Sequence, residues 1–389
     1  MRNLAFILIG MFAVGSSSFM MAGLLPEIGK TLGQPISVTG QGITAFTLTY
    51  LFSAPIFSMI FSNKSAGRTF QIALLIFLLG NVLTLLSENI YVFIASRIIT
   101  GLGAGIFNPL CASIAVQMGD PAKKGKTLSW VWGANSAGVV LSVPFGVYIA
   151  SEFNWQYSIL YILLLGFITL VGFSLQQKDI SLPNTTTFSE RVQLLVDKKV
   201  LSIIGVSCFT VLASTGLYSY ISTISSESPH KLATILLVWG IGGFIGSFSV
   251  GHIIDRTGNP QGVLTFILLG LCLTLMSIPS LVGFNYISLV PFFLWGLLGW
   301  ATLTPQQHVL FDLYEKQRTL VSALNSSAIS LGSSIGTALG GVIIASGFDG
   351  RNLPFWSALI LVGVIIFQVL LSNYMKRNGV LNEKSYSHS

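Results

Sequence analysis

The sequence predicts an all-α membrane protein: twelve transmembrane helices arranged as two six-helix bundles. Three observations predict it. Of 389 residues, 52% are hydrophobic and only 8% are charged, whereas a soluble domain is about 25% charged. Apolar runs near the roughly 20 residues that cross a bilayer fall at about 5–25, 41–61, 70–87, 91–112, 127–150, 156–175, 200–223, 231–251, 261–281, 285–306, 320–346 and 353–373. The two halves also echo each other. Gly103 to Pro109 and Gly299 to Pro305 share the spacing G-x5-P, and Asn135 to Gly146 and Asn325 to Gly336 share N-x10-G. A polar turn at Asn63-Lys64 answers one at Asp255-Arg256, and the offsets of 196, 190 and 192 lie close to half the chain. Offsets that nearly agree argue for parallel repeats. The expected organisation is a first bundle over 1–175, a cytoplasmic linker over 176–199, a second bundle over 200–375 and a cytoplasmic tail over 376–389.

Lys and Arg orient the chain. With the N-terminus inside, sixteen of the twenty fall on the cytoplasmic side; Lys30, Lys231 and Arg351 fall outside, and Arg97 lies within a span. This bias places both termini in the cytoplasm, in a bacterial-type inner membrane. The net charge of +7 is therefore a topology signal and not a nucleic-acid footprint. Cys111, Cys208 and Cys272 sit in or at the ends of apolar runs, which indicates neither a disulfide framework nor a metal site. The first run ends without a small-residue cleavage site, so it reads as a true span.

Span one carries Gly15-Ser16-Ser17-Ser18-Phe19, four small residues that allow close helix packing. Its hydroxyls face protein or a cavity, or bond back to the preceding turn. Glu27 lies at its outer end, in water. Ser62 to Arg68 forms the first polar turn. Span four reads Arg97-Ile98-Ile99-Thr100-Gly101-Leu102-Gly103-Ala104-Gly105-Ile106-Phe107-Asn108-Pro109. Arg97, Gly101, Ala104 and Asn108 recur at helical spacing and share a face. An arginine in the membrane costs about 2.5 kcal/mol or more, so Arg97 either faces a cavity or snorkels to the outer surface. After the basic turn Asp120 to Lys126, span five sets Trp132, Asn135, Gly138, Ser142 and Gly146 on one expected face, with Pro144 to bend it. The central connection contains a loop, Ser181 to Thr187, and a candidate interfacial helix, Ser189 to Val196. Span eleven, from Asn325 to Gly341, is rich in Ser and Gly.

The turn Gly251-His252-Ile253-Ile254-Asp255-Arg256-Thr257-Gly258 sits between two membrane-length runs. Its spacing G-x-x-x-D-R-x-G resembles the signature loop of the major facilitator superfamily. R-x-x-x-G-x-G-x-G from Arg97 resembles the span-four motif of exporters in that superfamily. Gly101 to Tyr157, and the region from Thr304 to Gly341, look like the arabinose-efflux-permease-like branch of its drug:proton antiporter family. Ser142 replaces a Gly before Val143-Pro144, and Asn154-Trp155-Gln156 stands where that branch has G-W-R. The resemblance implies alternating access, with substrate bound between the halves and a loop at Gly251, Asp255, Arg256 and Gly258 that gates the movement. Binding sites of this kind are mostly apolar with a few placed polar groups. The candidates are Arg97, Ser18, Phe19, Asn108, Trp132, Asn135, Tyr218, Trp239, Gln306 and Asn325.

The expected function is export of a small organic solute, a drug or a polar or zwitterionic metabolite, by proton antiport. The alternative is an uncoupled facilitator or importer. All thirteen acids fall in loops or at span ends, and Ser18 stands where related exporters carry a glutamate. A membrane-embedded enzyme would show intramembrane His, Asp or Glu clusters, and a sensor would carry a large soluble appendage; the sequence has neither. No cofactor, metal or nucleic acid is expected. The partners are the substrate, protons and the lipid bilayer, and the protein is expected to be a monomer.

Overall fold

Runs this apolar become helices because a bilayer offers no hydrogen bonds, so each backbone group must pair within its own segment. The structure, a computed structural model, describes residues 2–60, 65–118, 124–175, 194, 196–225, 229–284 and 286–377. The regular elements among these residues are helical. Eleven stretches among them are long and apolar enough to cross a membrane. The remaining expected run, 41–61, is the helix Gln41–Ile60, whose side chains are described as far as Ser53. The Asn63-Lys64 turn, the basic turn as far as Lys123, the Ser181–Thr187 loop, nearly all of the Ser189–Val196 helix and the tail beyond Arg377 lie outside the described residues.

The chain divides into two compact units: Met1–Thr185 with Glu227–Leu237, and Thr186–Ser226 with Val238–Ser389. In the first unit the helices are α1 (Arg2–Leu32), α2 (Ile36–Thr39), α3 (Gln41–Ile60), α4 (Ala66–Leu85), α5 (Ile90–Met118), α6 (Lys124–Ala137), α7 (Val143–Glu152) and α8 (Trp155–Ser174). Here α1 packs on α6, α7 and α8, α5 packs on α3 and α4, and α4 packs on α8. In the second unit follow α9 (Lys198–Tyr218), α10 (Ile221–Ser225), α11 (Pro229–Thr257, whose first turns belong to the first unit), α12 (Pro260–Leu281), α13 (Leu289–Ala301), α14 (Leu303–Leu313), α15 (Arg318–Ala345) and α16 (Leu353–Arg377). There α9 packs on α15 and α16, and α12 packs on α13, α14 and α16. The order of packing in one unit thus repeats that in the other: α9, α12, α15 and α16 take the parts of α1, α4, α6 with α7, and α8.

Local signals set the ends. Ser65 caps α4, Asn154 caps α8, and Asn259, followed by Pro260, caps α12; each side-chain oxygen accepts a backbone N–H that the helix leaves unpaired. Asp197 caps α9 by accepting from Lys199 N and Val200 N, and it also accepts the Tyr314 hydroxyl at 2.5 Å. Burial alone would raise the Asp197 carboxyl; the Tyr314 hydroxyl, the two cap amides and Lys199 outweigh it and hold it below the usual carboxylate range.

Two expected spans are not plain helices. Span ten breaks at Thr302 into α13 and α14, just before Pro305. Span five contains a π turn, Gly138–Ser142, between α6 and α7. This corrects the expectation that Trp132, Asn135, Gly138, Ser142 and Gly146 share one face. Trp132 is half exposed, and Ser142 donates to the Tyr161 hydroxyl on α8. A methyl on Gly138 would strike the Phe12 carbonyl of α1, and one on Gly146 would strike Met20 of the same helix. In an unbroken α-helix, residues eight apart point about 80° away from each other. The wide turn absorbs one residue, and both glycines come back to α1.

The helices meet at backbone distance. A methyl on Gly246 of α11 would collide with the Leu297 carbonyl of α13, and one on Gly296 with the Trp239 carbonyl of α11. Gly251, by contrast, has open space where its side chain would be, so the close approach to α13 is made one to two turns earlier in α11. Gly246→Ala should therefore lower the melting temperature in detergent, with an overpacking cost of about 1–3 kcal/mol. Gly251→Ala should be neutral or stabilising, by up to about 1 kcal/mol of helix propensity. Equal melting temperatures for the two variants would contradict the α11–α13 crossing.

Candidate functional site

The face of α5 that carries Arg97, Gly101 and Asn108 lies against α3. Gly101 abuts the Phe46 backbone, and Gly105 abuts Tyr50 and Ser53. The small residues bring α3 close enough for the two long polar side chains to reach its rings. The Arg97 guanidinium stands 4.7 Å from the Phe46 ring centroid, a cation–π contact. Asn108 Nδ2 donates to the Tyr50 hydroxyl at 2.9 Å.

Arg97 is fully covered, at 0% exposure. The snorkelling alternative is thereby corrected: the side chain does not reach the outer surface. Its Nη2 donates to the Ser17 carbonyl of α1 at 3.4 Å, while Nε and Nη1 have no partner. Arg97 is the one buried charged side chain among the described residues, and no carboxylate among them pairs with it. An unneutralised cation in this setting persists only for a reason, and its two idle donors make a ready acceptor site for an anion. Asn108 Oδ1, also buried, is idle as well.

The other candidates of the first unit divide. Ser16 and Ser18 bond back to Phe12 O and Val14 O at 2.7 and 2.8 Å, so the Ser18 hydroxyl is engaged within its own helix. Ser17 donates to Asn81 Oδ1 at 3.4 Å. Phe19 is half-buried beside Ser18. Asn135 Nδ2 donates to the Met11 carbonyl at 3.3 Å and ties α6 to α1.

In the second unit, Tyr218 and Trp239 stack at 4.2 Å, with Trp295 at 6.2 Å and Trp300 at 5.7 Å from Trp239. Trp295 Nε1 donates to Ser214 Oγ. This is a packed aromatic core joining α9, α11 and α13. Gln306 and Asn325 are 3% and 2% exposed. Asn325 Nδ2 donates to Gln307 Oε1 at 3.2 Å, which leaves Asn325 Oδ1 and the Nε2 atoms of both glutamines buried without partners.

At the C-terminal end of α11, Asp255 and Arg256 are exposed in the last helical turn, and neither side chain is bonded to another described residue. Gly258, at φ +59°, ends the helix in the left-handed region that glycine adopts without strain. Phe46, Tyr50 and Gln307 were not among the sequence candidates. Gln307 had a signal, its place beside Gln306; the two rings had none, since their partners lie 51 and 58 residues away in sequence.

The pattern that defines the Major Facilitator Superfamily matches residues 7–315. The chain belongs to the major facilitator superfamily. It is 29% identical over 379 residues to the "Uncharacterized MFS-type transporter YbcL" of Bacillus subtilis, covering 95% of both chains. It is 26% identical over 368 residues to the "Inner membrane transport protein YdhP" of Escherichia coli, covering 94% of both. It is also 26% identical over 348 residues to a "Probable sugar efflux transporter" of Helicobacter acinonychis, covering 86% of both. As a member of this superfamily the protein is a multi-pass membrane transporter, a class whose members are not enzymes.

Two outcomes are expected. Arg97→Met should raise the melting temperature of the unliganded transporter, because it removes a buried unpaired charge. The same variant should abolish transport, and Arg97→Lys should weaken it about 10- to 100-fold, the range for a lost charged hydrogen bond. An unchanged transport rate in Arg97→Met would remove Arg97 from the site. Asp255→Asn should slow transport while leaving expression and ligand binding intact; binding lost in parallel with transport would assign Asp255 to folding instead.

Proposed function

We propose that this transporter exports a small organic solute carrying a carboxylate, alone or in a zwitterion, by alternating access. The observation that carries the reading is Arg97, fully buried with two guanidinium nitrogens idle. A substrate carboxylate would supply the missing counter-charge in the bidentate geometry that arginine favours. In this reading twelve helices span the inner membrane as two six-helix halves, both termini are cytoplasmic, and Asp255 and Arg256 form an inner latch. Export is favoured by the likeness to a relative named as a sugar efflux transporter.

The drive is proton antiport, in keeping with the exporter branch that spans four and five resemble. The second reading is uncoupled facilitation or import. It is favoured by Ser18 in span one and by Arg97 being the one buried charge among the described residues, so no buried carboxylate there offers a proton site.

An untargeted comparison of medium and cells, with and without the gene, should identify the exported acid. Reconstituted into vesicles, an antiporter should then accumulate that acid against its gradient when a pH difference is imposed. Ser18→Glu should sharpen the response. Transport that only equilibrates the solute and ignores pH in both proteins would establish the uncoupled reading.

A further inference from the structure

We propose that Gln306, Gln307 and Asn325 form a recognition site for a neutral hydroxyl- or amide-bearing group. The proposal rests on the transport reading above. The contrast with three buried amides elsewhere, Asn81, Gln261 and Gln368, points this way. Asn81 uses both ends, donating to Phe77 O and accepting from Ser17. Gln261 and Gln368 bond to each other, and Gln261 reaches the Met375 sulfur. Such amides join helices and are satisfied. The α14–α15 group is held by a single bond, Asn325 Nδ2 to Gln307 Oε1, which leaves two NH2 groups and one carbonyl oxygen buried and idle. An unmet buried polar group costs about 1–3 kcal/mol, so three of them need an occupant.

The chemistry of the occupant follows from the set. A carboxylate would accept from the two NH2 groups but would meet the lone pairs of Asn325 Oδ1. An ammonium would donate to Oδ1 but would meet the hydrogens of both NH2 groups. A hydroxyl, a vicinal diol or a primary amide both accepts and donates, and so matches a set that offers idle donors and an idle acceptor. The surroundings agree: no charged side chain is buried in the second unit among the described residues. Ser207 and Thr210 on α9, which packs against both α14 and α15, add two buried hydroxyls without partners. The break at Thr302 also starts α14 afresh one turn before Gln306.

Three six-carbon probes test this on the purified full-length protein by calorimetric titration: sorbitol, gluconate and hexanoate. Gluconate should bind about tenfold or more tighter than hexanoate, the gain from two hydrogen bonds at about 1 kcal/mol each. Gln306→Met and Asn325→Leu should each shrink that preference severalfold while leaving hexanoate affinity unchanged. The unliganded melting temperature of Gln306→Met should stay at or above the original, since it removes an idle buried amide. Equal affinity for gluconate and hexanoate, a preference that survives both substitutions, or a lower melting temperature in Gln306→Met would overturn the site. Binding of sorbitol and gluconate alike, with none of hexanoate and no effect of Arg97→Met, would uphold this site and overturn the carboxylate reading of Arg97. No binding of any probe would overturn both.

Discussion

Helices as apolar as these gain little by leaving lipid for one another, since lipid tails are as greasy as leucine. What holds them together is the closeness their backbones can reach. At the crossings of α1 with α6, α3 with α5, α11 with α13 and α9 with α15, a glycine of one helix meets a carbonyl of the next. At that distance there is no room for side chains between the axes, so polar groups near a crossing are pressed together or left facing inward. Arg97 over Phe46 and Asn108 against Tyr50 are both products of such a crossing. The chemistry of the interior is therefore a consequence of the packing rule.

The two units, alike in how their helices pack, differ in what they bury. The first buries, among its described residues, a single cation with most of its donors idle. The second buries amides and hydroxyls and, among its described residues, no charge. The same order of helix packing thus carries different polar side chains in the two units.

Much of the fold was legible in the sequence because membrane length, apolar content and half-chain spacing are one-dimensional quantities. Arg97, Asn108, Gln306 and Asn325 stood out for the same reason: each is a polar residue in an apolar run. Their partners did not. Phe46 and Tyr50 are ordinary aromatic residues in an apolar segment, and only the approach of α3 to α5 gives them a role. Periodicity also misled where the helix departs from 3.6 residues per turn. The single face expected in span five assumed a uniform helix. For Ser18 the sequence offers a cavity or the preceding turn and cannot rank them; the structure shows its bond back to Val14 O.

The π turn at Gly138–Ser142 has a bearing on how this helix could change in length. A wide turn holds one residue more than the span needs to keep its glycines on α1. A chain shortened by one residue there could close into regular α-helix with Gly138 and Gly146 still facing Phe12 and Met20. The turn thus behaves as a slack link, a place where an insertion or deletion is taken up within a few residues and is not passed along the helix as a rotation of everything beyond it. Elsewhere in the tight crossings a one-residue change would turn the following glycines away from their neighbours and push side chains into the gap.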